Sequence, residues 1–230
     1  MNTKRNKIIT TVCVICIMLS ILLFILIKYS TDKEEFVYNQ HLDELAVTVK
    51  AAEDDKLTVD IDMQEMAYYI INVEGNINQM AYQYRSSDLN AYWSLKIETT
   101  YTMRDYAKDW AMDSCVRDNV YYLEALKNNM TLTEEEEKLA SEDAQIIMKN
   151  LTGRQMDVSD FSQEVLYNIE KKIYLATKYV NFLNEEGYTM EELELSGSYY
   201  EELLKSYETV VNDELWDKVK LGNLTVKTKD

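Results

Sequence analysis

Nucleophilic catalysis needs a base beside the nucleophile. This chain holds one histidine, His41, and three cysteines, Cys13, Cys16 and Cys115. Cys13 and Cys16 lie inside an uncharged apolar run, which leaves only Cys115 with His41 as a conceivable pair. The two are far apart in sequence. Cys115 falls in the middle of a helix-like stretch, where a free cysteine acts as a small buried hydrophobe. His41 falls in a polar segment and reads as solvated. Only five glycines occur, and Gly153 and Gly187 are isolated, so no phosphate-cradling loop is present. Zinc needs a His/Cys cluster that the sequence lacks. The acidic runs Glu53–Asp55 and Glu134–Glu137 do not have the alternating oxygen-ligand spacing of a calcium loop. No pair stands out among 41 acidic residues as an acid–base couple. The expectation is a protein without catalytic residues, metal or cofactor.

What remains is a chemistry of contact. Eighteen tyrosines, eleven methionines and three tryptophans offer adaptable, amphipathic surface. Many tyrosines come in doublets, and neighbours on a helix diverge by about 100°, so both rings of a doublet cannot point into one core. Tyr68, Tyr69, Tyr82, Tyr84, Tyr92, Trp93 and Tyr122 are the candidate polypeptide-contact residues. Core and boundary filling is the competing reading of each ring.

The elements that must position these rings are mostly helical. Ile8 to Ile27 is uncharged and spans roughly 30 Å as a helix, one hydrocarbon core. It ends without a small-x-small cleavage site, so it reads as an uncleaved anchor rather than a signal peptide. Lys4, Arg5 and Lys7 set the short N-terminal tail on the cytoplasmic side. Residues 29–230 then face outward. The whole chain carries −17, and the basic flank of the anchor makes the remainder more negative still. Such a domain repels phosphate backbones, which excludes nucleic acid as a partner.

Residues 29–56 read as a juxtamembrane stalk. Two alternating runs, Leu45–Val49 and Leu57–Ile61, suggest a small hairpin. Asp62 with Glu65 starts a helix over 63–84. Thr102 with Asp105 starts one over 103–129, and its apolar face includes Trp110. Thr133 with Glu136 starts one over 134–151. Ser159 opens a fourth, which ends at Gly187. Thr189 with Glu192 starts a last helical stretch running toward Asn212. At a usual frequency of about 5%, roughly eleven prolines would be expected in a chain this long. There are none, which suits uninterrupted helices.

Several segments resemble the N-terminal chaperone domain of the SurA/PrsA group of extracytoplasmic foldases. They are LTVDIDMQEMAYY at 57–69, the Tyr92–Trp93 pair, YTMRDYAK at 101–108, LEALKNNMTLTEEEE at 123–137, YLATKY at 174–179 and VNDELWDKV at 211–219. The resemblance implies a fold that is mainly α: an N-terminal transmembrane helix followed by a SurA N-terminal-like multi-helix domain with at most a small β-hairpin. The expected division is 1–7 cytoplasmic tail, 8–28 transmembrane helix, 29–56 stalk, 57–187 helical domain, and 188–230 a C-terminal helix and tail packing back, with Trp216 as its anchor. Too few residues separate Gly187 from Val211 for the parvulin isomerase domain that most relatives carry, so prolyl isomerase activity is not expected. Relatives are usually lipoproteins, and this chain has a helix anchor instead. Because the group is bacterial, the sequons at Asn129, Asn150 and Asn223 are discounted. The implied role is a membrane-anchored chaperone that holds unfolded or secreted polypeptides. A dedicated adaptor binding one envelope partner and, more remotely, a peptide isomerase are the rivals.

Overall fold

A computed structural model describes residues 36–84 and 88–222. The chain divides into two units, 1–37 and 38–230. The expected anchor at 8–28 lies outside the described residues. Among the described residues, no helix is long and apolar enough to cross a membrane.

The second unit is mainly helical with a small three-stranded sheet. Strands β1 (Leu45–Ala51) and β2 (Asp54–Asp62) pair antiparallel, with Val47 opposite Ile61 and Val49 opposite Val59. A third strand, β3 (Tyr207–Val211), adds to the other side of β1, with Val47 opposite Val211. The order β2-β1-β3 puts β1 at the centre. Two expectations are corrected here. The hairpin is a three-stranded sheet, and residues 45–56 belong to the folded unit rather than to a stalk. The physical reason is that Ala46, Val47, Val49 and Ala51 are all buried, which a free stalk could not achieve. The last helical stretch is also broken. Tyr207–Val211 is β-branched and aromatic, and strand pairing with β1 outweighs any helical preference there.

Helix α1 (Met63–Gln83) starts where the Asp62 carboxylate accepts the Glu65 amide at 2.8 Å. A short helix α2 (Leu89–Trp93) follows. Helix α3 (Met103–Lys127) begins with the Thr102/Asp105 capping box and ends two residues before Asn129, whose φ of 54° leaves the helical region. Helix α4 (Glu134–Asn150) begins with the Thr133/Glu136 box. The sequence then holds a helix that patterning missed, α5 (Gly153–Ser159), with its own box from Thr152 and Gln155. Asp160, at φ 47°, ends it. The long helix α6 (Gln163–Glu185) therefore starts from Ser162, not Ser159. Short helices α7 (Met190–Leu193), α8 (Ser198–Leu204) and α9 (Asp213–Trp216) bracket β3.

Helix α3 is the axis of the packing. It lies against α1, against α6 and against strands β1 and β2, and α4 packs on the far side of α6. Its buried residues, among them Ala107, Met112, Cys115, Val120, Tyr121 and Glu124, are spread around the helix rather than along one stripe. The segment after Gly187 covers this axis. The Tyr121 hydroxyl donates to the Leu193 carbonyl at 2.8 Å, and the Tyr207 hydroxyl donates to Glu124 at 2.8 Å. Trp216 and Leu221 are buried. Arg104 donates to the Leu221 carbonyl, and the Gly222 amide donates to the wholly buried Glu74 carboxylate at 2.5 Å. Gly222 has φ +89°, and a Cβ there would meet the Trp93 ring at 3.0 Å, so glycine is required.

Candidate functional site

Among the described residues, no group of three or more His, Cys, Asp or Glu side chains is placed to hold a metal. His41 Nδ1 lies 2.7 Å from Glu44 Oε1. Cys115 is fully buried in α3, and burial pushes its thiol well above the ordinary value, so the reactive thiolate is disfavoured.

The seven candidate rings do not form one surface. Trp93 is 1% exposed and Tyr69 5%, and Tyr92 is also buried. The Trp93 indole donates to Asn78 at 3.0 Å and lies under the Arg104 guanidinium at 5.7 Å. These three rings are core, which corrects the expectation that they meet a polypeptide directly. Tyr82 and Tyr84, at the end of α1, are 66% and 76% exposed, and Tyr84 stacks on Tyr92 at 6.5 Å. Tyr68 and Tyr122 are half-buried. Tyr68–Tyr69 and Tyr121–Tyr122 split as helical geometry demands, one ring inward and the other at the boundary, whereas Tyr92 and Trp93 are both buried.

Tyr68 does line a built feature. Because α1 and α6 both flank α3, a trench of about 210 Å³ runs between them. Its α1 wall carries Tyr68, Asn72 and Asn76 at steps of four, the spacing of one helical face. Its floor is α3, with Trp110, Ser114, Arg117 and Asp118, and Ile173 faces it from α6. Toward the start of α1 the walls are tied together. Lys172 Nζ reaches the two Glu65 oxygens at 2.7 and 3.0 Å, and the Tyr68 hydroxyl donates to Glu170 at 2.9 Å.

The electrostatics of the trench are incomplete. Burial pushes Asp118 up to about 6, although Arg117 pulls the other way. Burial also raises Glu170, against the Tyr68 hydrogen bond, and raises Glu65, against Lys172. Arg117 gives its Nη1 to Glu194 at 3.0 Å, while its buried Nε finds no partner among the described residues. Patterning gave no sign of Asp118 and placed Trp110 only on an apolar face. Their roles depend on where three separate helices sit.

A second, wider depression of about 540 Å³ lies between α4 and α6, lined in part by Met130, Glu136, Tyr174, Lys178 and Phe182. Its polar groups bind each other. Lys178 Nζ reaches Glu136 at 2.7 Å and the Thr131 carbonyl at 3.0 Å, and the Tyr174 hydroxyl donates to Asp143 at 2.5 Å.

Comparison with known family models, curated proteins and solved structures finds no match.

Proposed function

We propose that residues 38–230 form a non-enzymatic binding module that engages one segment of a specific polypeptide partner in the α1/α3/α6 trench. In this reading the 8–28 helix holds the module at the outer face of a membrane, where it acts as an adaptor. The observation that carries it is the trench itself: the half-buried Tyr68 and Trp110 rings and the Asp118 carboxylate line one narrow, pre-formed slot. Such a slot suits one recognised side chain better than many extended clients. The general holding role that the SurA/PrsA resemblance implies is the second reading. It is favoured by the exposed Tyr82, Tyr84, Leu95 and Ile97 around the α1–α2 end.

The full-length chain, purified from its membrane in mild detergent, separates the two. An adaptor co-purifies with one stoichiometric partner, and Ser114→Trp, which fills the trench floor, removes it. A holding chaperone retains many substoichiometric polypeptides and suppresses aggregation of an unfolded secreted protein. Capture of a single partner that ignores Ser114→Trp would contradict the trench as the site.

A further inference from the structure

Four observations bear on what enters the trench. Its volume of about 210 Å³ is below the roughly 300–1,000 Å³ of small-molecule pockets, so it accommodates one side chain rather than a cofactor. Tyr68, Tyr69 and Trp110 line it. Tyr68 packs edge-on to Tyr69 at 5.4 Å, and Trp110 tilts against Tyr106 at 5.9 Å. Aromatic faces attract cations, tryptophan most strongly. Its lining holds one carboxylate, Asp118, and one cation, Arg117. Among the described residues no hydrogen bond or ion pair reaches the Asp118 carboxylate, and the buried Glu170 has only the Tyr68 hydroxyl. The two neighbouring bases are engaged elsewhere, Arg117 with Glu194 and Lys172 with Glu65. Finally, the chain as a whole is strongly acidic and steers cationic segments toward itself.

We propose that the trench receives a lysine or arginine side chain of the partner segment, seated between Tyr68 and Trp110 with Asp118 as its counter-charge. The proposal rests on the trench being the partner's docking site. A cation there gives Asp118 a direct partner, which Arg117, bonded to Glu194 and acting on Asp118 only through its charge, does not. Binding is weakened in acid. Arg117 and Cys115 on α3, Glu194 after α7, Tyr200 on α8, Glu170 on α6 and Tyr68 and Tyr69 on α1 interact with Asp118, and burial sets its proton affinity near 6.

The test uses the full-length chain in detergent, labelled with 5-fluorotryptophan. The three tryptophans give three fluorine signals, and Trp110→Phe assigns one of them. N-acetyl-arginine amide is titrated against its neutral isostere, N-acetyl-citrulline amide. The expected result is a saturable shift confined to the Trp110 signal, with arginine about tenfold tighter than citrulline, as for a charge-assisted contact. Asp118→Asn, which breaks no hydrogen bond in the fold, removes that difference, and lowering the pH from 8 to 5 weakens arginine several-fold. Equal affinity for the two probes, a preference that survives Asp118→Asn, or no shift at all would overturn the proposal. If partner capture is still lost in Ser114→Trp, the docking site stands and only its cation preference falls. If capture is indifferent to that change, the docking site itself falls.

Discussion

The two depressions on this domain differ in a way that volume does not predict. The one between α4 and α6 is the larger, yet Lys178, Glu136, Thr131, Tyr174 and Asp143 bind one another across it. Its carboxylate is held low, with the Lys178 hydrogen bond as the main cause at Glu136. The trench between α1 and α6 is smaller, but Asp118 and Glu170 are pushed up by burial and form no ion pair among the described residues, although the Arg117 charge pulls Asp118 the other way. A depression whose polar groups are satisfied from within is a joint between helices. One whose carboxylates lack an ion pair is, in the proposed reading, the place for a ligand.

The largest expected effect calibrates this comparison against the core. Trp93→Ala removes a ring that is fully buried and hydrogen-bonded to Asn78, and it should cost about 3–5 kcal/mol in chemical denaturation. A loss below about 1 kcal/mol would return Trp93 to the list of surface rings.

The next effect is a gain. Asp118→Asn should stabilise the domain by about 1 kcal/mol at pH 8, because it removes an unfavourably buried charge. The corresponding pH dependence has a definite sign. Folding raises the proton affinity of Asp118, Glu170 and Glu65, so their contribution is fully present below the unfolded carboxylate range near 4. It is lost as pH rises through about 6 for Asp118. Carboxylates held low, Asp105, Glu136 and Glu192, act the other way, and their contribution is lost only as pH falls below about 4. Denaturation midpoints should therefore fall between pH 5 and pH 8, and the fall should shrink in Asp118→Asn.

Smaller effects test the satisfied depression. Thr133→Ala removes the cap of α4 and should cost about 1 kcal/mol. Lys178→Met opens the partly exposed pair with Glu136 and should cost about 0.5 kcal/mol, with no change in partner capture. Tyr84→Ala, at the exposed end of α1, should change stability by less than about 0.5 kcal/mol.

The sequence made the helix starts legible because capping is local. Asp62/Glu65, Thr102/Asp105, Thr133/Glu136 and Thr189/Glu192 all cap helices in the structure. The same signal at Thr152/Gln155 caps α5, which lies between two expected helices in a stretch too short to show an apolar period. Strand β3 was illegible for another reason. Tyr207–Val211 becomes a strand only by pairing with β1, which lies near the other end of the domain, and no local pattern reports such a partner. The trench was harder still. Trp110 and Asp118 sit on one helix, Tyr68 on a second and Ile173 on a third, so only tertiary packing brings them together. The exposed end of α1, with Tyr82 and Tyr84, was closer to legible, because a helix terminus is where rings leave the core.

In the proposed reading the trench, and not the larger depression, engages the partner. A photo-crosslinking phenylalanine derivative placed at Ser114 on the trench floor, and separately at Thr177 in the α4–α6 depression, tests it in the intact membrane. One discrete adduct from Ser114 and none from Thr177 is the predicted result. An adduct from Thr177 alone would contradict the claim.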